Sequence, residues 1–418
     1  MKESVQKPVS LRELAYVEVA SSELTRDINR DLILERIRSL QPISRVDLSR
    51  MTGMQPSTVS SIVEQLLKEK WICEGAIKKT ARGRRPTMLS LNENLLILAA
   101  DVRPAQAVLA VLDLNGRFLS RSVVPLPTDA AASIKAIGDG MIKLREQHAD
   151  KVFEGAGLSV QGRVDPATNR LVLVPNMPWK DVDVCGVLAK RLKLRVELEN
   201  DANACLLSEL WFGHVDRVRN AVLVAVSEGV GAAILAEGRL IGGSHGLAGE
   251  FGHVCVDPAG PKCNCGKHGC WETVASSRAA LRYYRAAKPG SLPISMAQLV
   301  GLAVSGDAAA SHALVRQAEA VGRGLRIINA TLSPEVIFFA GDLTLHWDRS
   351  QKIIERECMA GLLAGRGPRL VSIGDGELAL LRGAAAVVLQ RHSGYYKSSH
   401  AKRPRPRHAA VRSRTAAG

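Results

Sequence analysis

The stretch NAVLVAVSEGVGAAILAEGRLIGG, residues 220–243, decides how this chain folds. It reads as an apolar strand, a turn opened by Gly229 and Gly231, and a second apolar strand. Earlier in the chain the same grammar occurs once already. LLILAADV (95–102) is a buried strand, and AVLAVLDLNGRFLSRSVV (107–124) is a hairpin turning at Asn115-Gly116. A helical stretch (131–147), the strand FEGAGLSV (153–160) and a helix leading into RVELEN (195–200) follow the first pass. The strand VIFFAG (336–341) and the helix ELALLRGAAAVVLQRH (377–392) follow the second. Two passes of hairpin plus α/β unit predict a duplicated, two-lobed α/β domain over 93–393. Such folds bind ligands between the lobes, at the strand ends.

Composition sets the class. The 418 residues are 46% hydrophobic, ample for a sizeable core. No run approaches the ~18 apolar residues of a membrane helix. The N-terminus lacks a basic-then-apolar signal. A soluble, cytoplasmic protein without membrane insertion is expected. In that compartment clustered cysteines point to metal or redox chemistry rather than to disulfides. The net charge of +15 is uneven: residues 1–92 carry 16 basic and 11 acidic residues (+5), 391–418 carry +8 with no acid, and the rest only +2. Basic ends around a neutral middle suit a polyanion partner.

Residues 25–92 read as a DNA-binding head. Ile33, Ile37 and Leu40 share one face of a first helix. Ser44 and Asp47 start a short second helix as an S-x-x-D cap, and Gly53 ends it. Pro56 takes the first position of a third helix, whose apolar stripe is Val59, Ile62, Val63, Leu66 and Leu67. This spacing is a helix-turn-helix. Gln55, Ser57, Thr58 and Ser61 lie opposite the stripe, near the N-terminus of the recognition helix, where they would reach base edges and phosphates. Two short strands then surround a basic tip of Lys78, Lys79, Arg82, Arg84 and Arg85, the pattern of a wing. Residues 1–24 form an N-terminal extension with one helix-like segment, and 394–418 a basic tail expected to be disordered.

The chemistry-bearing residues gather in the central module. Asn200 and Asp201 end a strand in ELENDANA (197–204). Asp201 is either a base for a hydroxyl or, locally, the cap of the following helix. Glu250 and His253 lie in GLAGEFGHVCV (246–256), and Glu272 closes the loop after them. Carboxylates and an imidazole among glycines suit the hydroxyl groups of a sugar. Cys263, Cys265 and Cys270, in CNCGKHGCWE (263–272), have C-x-C-x4-C spacing, and His253 supplies a fourth ligand. Three thiolates and one imidazole make a closed tetrahedral site for structural Zn2+. His268 is a rival ligand expected to face solvent. Cys73, Cys185, Cys205, Cys255 and Cys358 sit among apolar neighbours and are expected to fill core.

Together GVGAAI (229–234), GGSHGLAGEFGH (242–253), CNCGKHGCWE and ENDANA resemble the ROK family of repressors and sugar kinases, over about residues 25–392. The winged head ending in GRRP resembles the repressor branch. The resemblance implies an actin-like ATPase fold of ribonuclease H-like duplicated lobes. It implies sugar contacts from Asn176, Asn200, Asp201, Glu250, His253 and Glu272, with zinc on His253, Cys263, Cys265 and Cys270. One departure matters. Kinase members carry Asp-x-Gly-x-Thr in the first hairpin, where this chain has DVRPA (101–105). Arg103 and Ala105 replace the glycine and threonine, and Pro104 removes a backbone donor. The expected function is a sugar-responsive transcription regulator that does not use ATP. Its partners would be a double-stranded DNA operator, a sugar or sugar-phosphate effector and a second copy of the chain. The alternatives are an ATP-dependent sugar kinase with an added head, and a DNA-binding regulator controlled by a protein partner.

Overall fold

The computed structural model describes residues 22–77, 86–166, 168–175, 177–213, 218–243, 246–361 and 367–390. The chain divides after Leu91 into two compact units, the second being Asn92–Gln390.

In the first unit, α1 (Ser22–Leu40), α2 (Arg45–Thr52) and α3 (Pro56–Lys68) enclose a core of Ile33, Leu34, Ile37, Leu48, Val59, Ile62, Val63 and Leu66. Leu40, expected on the buried face of α1, is 43% exposed, because α1 ends there; Leu34 takes its place. Ser44 caps α2: its hydroxyl oxygen accepts from the Asp47 amide at 3.2 Å and its proton goes to Asp47 Oδ2 at 2.7 Å. Gly53 closes α2 at φ 72, where a side chain would be strained. Pro56 opens α3 as expected. Strands β1 (Ile43–Ser44), β2 (Ile72–Ile77) and β3 (Thr87–Leu91) form a sheet in the order β1-β3-β2. Arg30, 3% exposed, ties α1 to the end of α3 through Glu69 and lies over the Trp71 ring. Burial of the guanidinium is tolerated because it is paired.

The second unit carries the duplication. β4 (Leu95–Val102), β5 (Gln106–Asp113), β6 (Phe118–Pro125), β7 (Val152–Val160) and β11 (Val196–Asn200) form a sheet in the order β11-β7-β4-β5-β6. β12 (Ala221–Val226), β13 (Val230–Ala236), β14 (Arg239–Leu240), β15 (Val336–Ala340) and β16 (Arg369–Ser372) form another in the order β14-β13-β12-β15-β16. In both sheets the first strand pairs antiparallel with the second and parallel with the fourth. Two sheets of one topology are the two lobes that the repeated hairpin pattern predicts. A small sheet of β8 (Arg163–Asp165), β9 (Arg170–Leu173) and β10 (Lys180–Val182) extends the first lobe. Its strands are too short to leave a periodic signal in sequence.

Helices cover the sheets: α4 (Ala130–Glu146), α5 (Val184–Leu192), α6 (Asp201–Phe212), α7 (Trp271–Ala275), α8 (Ser277–Ala287), α9 (Met296–Val304), α10 (Ala308–Leu332), α11 (Trp347–Met359) and α12 (Gly376–Gln390). Small residues let backbones approach. A Cβ on Gly383 of α12 would stand 2.1 Å from the Ala204 carbonyl oxygen of α6, and one on Gly157 of β7 only 1.8 Å from the Ala384 oxygen. Gly157→Ala is therefore expected to destabilise the chain by about 3 kcal/mol or more, read from urea unfolding. A change under about 1 kcal/mol would show that α12 can move off the sheet. No helix among the described residues is long and apolar enough to cross a membrane.

Candidate functional site

Strand ends and glycine turns place the polar groups. β11 runs into α6 without a loop, so Asn200 becomes the N-cap of α6 and Asp201 its first residue. The Asn200 side-chain oxygen accepts from the Ala202 amide at 2.9 Å and the Asn203 amide at 3.4 Å. Its amide nitrogen donates to Gly162 O at 2.9 Å, on the turn between β7 and β8. The cap is thus Asn200, not Asp201, and Asn200 keeps one N–H for a ligand. Glu199, which sequence reading passed over, braces this corner by accepting from the Asn203 side chain and the Asn200 amide, each at 2.9 Å.

Asp201 is thereby left to the cleft. Its Oδ1 accepts from the Ala202 amide at 2.9 Å. Desolvation pushes its carboxyl up to about 6, and the nearby Asp101 pushes the same way. Asp101 itself, 1% exposed at the end of β4, is raised by burial and opposed by Arg103. Arg103 Nε donates to Asp101 Oδ2 at 2.6 Å, and its Nη2 lies 3.5 Å from Glu377 Oε2 at the start of α12. Asp101 Oδ1 is buried without a hydrogen-bond partner among the described residues. Sequence reading found Asp101 and Arg103 but not Glu377, whose distance in the chain leaves no signal.

The loop after β14 lies close on the second lobe. A Cβ on Gly249 would meet Ala232 O at 2.3 Å, and one on Gly252 would meet Val230 O at 2.2 Å. Only glycines permit this approach, which presents Glu250 and His253 on a single turn of 3-10 helix (Glu250–His253). The His253 ring has two faces of use. Nε2 lies 3.7 Å from Glu250 Oε2. Nδ1 lies 3.7 Å from Glu272 Oε1 and 3.5 Å from Cys263 Sγ. Glu272 Oε1 also accepts from Cys263 Sγ at 3.0 Å, and its other oxygen lies against Gly229 of the β12–β13 turn. Glu250, His253 and Glu272 therefore form one group, joined to the cysteines.

The ligand atoms of His253, Cys263, Cys265 and Cys270 all lie within 4.8 Å of one another. Cys265 and Cys270 Sγ are 3.5 Å apart. A tetrahedral ion with bonds of about 2.0–2.3 Å needs ligand atoms roughly 3.5–3.8 Å apart. The donor set and its spacing fit Zn2+. His268 is exposed and outside the group, as expected. Of the remaining cysteines, Cys185, Cys205 and Cys358 are buried, but Cys73 and Cys255 are exposed and do not fill core. Their apolar sequence neighbours do not reveal which way each side chain faces.

The second glycine turn is tied to its surroundings. Ser227 N donates to Gly229 O at 3.0 Å, and Ser277 N to Ser227 O at 2.8 Å. Ser277 Oγ donates to Asp342 Oδ2 at 2.8 Å. Gly341 (φ 85) fits against Ser227, where a Cβ would lie 2.4 Å from Oγ. Ala233, where glycine is common in kinase members, is simply a buried core residue.

In the first unit, Gln55, Ser57 and Ser61 are exposed at the N-terminal end of α3, and Thr58 is half-buried. Asn176 lies outside the described residues, as do the tip residues Lys78, Lys79, Arg82, Arg84 and Arg85, residues 1–21, and the basic tail.

Three comparisons bear on this site. Residues 98–391 match the sequence model of the ROK family. The chain is 30% identical over 331 residues, 78% of its own length and 85% of the relative's, to a xylose repressor of Bacillus spizizenii. Its fold is similar to the crystal structure of a ROK family transcriptional regulator, a homolog of the E. coli MLC protein. That match has a TM-score of 0.79 and 25% identity, covering 90% of this chain and 99% of the other. A ROK family glucokinase from Streptomyces griseus, in complex with glucose and AMPPNP, matches at a TM-score of 0.61 and 28% identity, covering 71% of this chain and 99% of its own.

Proposed function

The chain belongs to the ROK family, and from that premise we propose that it is a sugar-responsive transcription regulator, most simply a repressor of carbohydrate-metabolism genes. The observation that carries this reading is the extent of the two structural likenesses. The regulator matches 90% of the chain, whereas the glucokinase matches 71%, close to the share of the second unit alone (299 of 418 residues). The first unit is what separates a regulator from a kinase.

In this reading α1 to α3 with β2 and β3 are a winged helix-turn-helix. α3 enters the major groove, where Gln55, Ser57, Thr58 and Ser61 meet base edges, and the basic tip at Lys78–Arg85 meets phosphate. The protein acts as a cytoplasmic homodimer, placing two recognition helices on half-sites about one helical turn apart. Asn176, Asn200, Asp201, Glu250, His253 and Glu272 bind the sugar. Zn2+, held by His253, Cys263, Cys265 and Cys270, fixes the loop that carries three of those groups. Its contribution is structural, since all four positions are protein ligands. Sugar that binds one arrangement of the heads better than another shifts DNA affinity by linkage.

ATP has no role here. Arg103 and Pro104 occupy the tightest phosphate turn, and the Ser227–Ser277–Asp342 hydrogen bonds close the second glycine turn on itself. The observation that favours a kinase is Asp201, whose carboxyl at about 6 is poised as a base. One experiment separates the readings. Genomic fragments selected by the purified chain are titrated with a sugar panel. Specific binding released by one sugar supports the regulator. Phosphate transfer from ATP to that sugar would establish a kinase instead, and specific binding altered only by a protein partner would establish the third reading.

A further inference from the structure

The effector's charge is legible in the cleft. A phosphate ester needs cations or free N–H donors where its phosphate sits, and this end of the cleft offers neither. The cation of the first turn, Arg103, is engaged by Asp101 at 2.6 Å and by Glu377 at 3.5 Å. The Arg103 amide is spent on Gln106 O at 2.9 Å, and Pro104 has no donor. The N-terminus of α6 would favour an anion by its dipole, but Asn200 already takes the Ala202 and Asn203 amides. The charged group that acts most strongly on Asp201 is another acid, Asp101. Asp101, Asp201 and Glu377 thus outnumber Arg103 by three to one. What these groups lack is a hydrogen-bond donor: Asp101 Oδ1 is buried without a partner.

Resting on the sugar-responsive reading, we infer that the effector is an uncharged sugar, and that the chain Asp101–Arg103–Glu377 makes the cleft reject the phosphate ester of that sugar. A neutral hydroxyl supplies the donor that carboxylates need. A phosphate dianion brings like charge into an acid-rich, partly buried corner, where such juxtaposition is strongly unfavourable. The replaced phosphate turn is then a specificity filter rather than a remnant.

The test uses calorimetry on the full-length chain with D-xylose, D-glucose, N-acetylglucosamine and the 6-phosphates of the two hexoses. A neutral sugar is expected to bind, with any corresponding ester weaker on the order of 100-fold. Glu377→Gln removes an acid and leaves Arg103 with one partner, so it should narrow a sugar-to-ester ratio by roughly tenfold. Arg103→Ala removes the cation and should widen it. A merely structural role would weaken sugar and ester alike and leave the ratio fixed, and that result would overturn the filter. An ester binding as tightly as its sugar would overturn the inference while leaving a sugar-responsive regulator. Binding of no sugar and no ester, with operator binding intact, would instead sink the sugar-responsive reading itself.

Discussion

Asp201→Asn is expected to make the chain more stable at pH 8 while abolishing its response to sugar. The stability half follows from burial. The Asp201 carboxyl titrates at about 6 in the folded chain, against an ordinary 3.8, chiefly because the site withholds water from the charged form. A carboxyl with a raised folded pKa contributes stability below its unfolded value, and that contribution is lost as pH rises from about 4 through about 6. At pH 8 the wild-type chain therefore bears the cost of an ionised, part-buried acid beside Asp101. Asparagine keeps an oxygen to accept from the Ala202 amide but carries no charge. The gain should be about 2 kcal/mol, after allowance for the exposed part of the side chain. It should vanish near pH 4, where the native carboxyl is protonated. Urea unfolding of both proteins from pH 4 to 8 measures this, and a difference that does not change with pH would defeat the desolvation account. The functional half follows from position. If Asp201 accepts a sugar hydroxyl, the variant should lose operator release at sugar concentrations that saturate the parent.

Much of this was legible in sequence, and the parts that were not share a cause. The two lobes could be read because a hairpin writes its strands and glycine turn in consecutive residues. The metal group could be read because Cys263, Cys265 and Cys270 are near neighbours and His253 is only ten residues away. Which of Asn200 and Asp201 caps α6 could not be read, since both are good caps and the choice depends on one residue of register. The partnership of Arg103 with Glu377 joins the first hairpin to the last helix, so nothing local marks it. Alanine and glycine looked like compositional habit. In the fold they set contact distances: Gly383 against Ala204, Gly157 against Ala384, and Gly324 against the Trp271 ring, where a Cβ would lie 2.0 Å from the nearest ring atom. Leu40, Cys73 and Cys255 were misplaced for a related reason. Local apolar pattern says that some face is buried, but not where an element ends or which way its side chains turn.

The other large effect is expected at the metal group, where Cys270→Ser should separate sugar response from DNA binding. Cys270 is fully buried, with its sulfur 3.5 Å from Cys265 and 3.4 Å from His253 O. The loop from Val254 to Cys270 has little core of its own; Cys263 and Cys270 are its buried apolar side chains. Backbone bonds such as Cys263 N to Lys267 O at 2.7 Å shape it, but glycine turns at Gly266 (φ 92) and Gly269 (φ 65) make it costly to order. A metal ion supplies the missing cohesion. Removing one thiolate should lower the metal content from about one zinc per chain to near zero. His253 and Glu272 would then lose the anchor that orients them, and sugar affinity should fall on the order of 100-fold. Operator affinity should stay within a few-fold, because the residues proposed to read DNA belong to the other compact unit. Elemental analysis, sugar calorimetry and operator binding on one preparation give the three readings. Full sugar affinity in a zinc-free variant would show that the loop holds its shape without the ion. Equal loss of sugar and operator binding would mean that the substitution unfolds more than the loop.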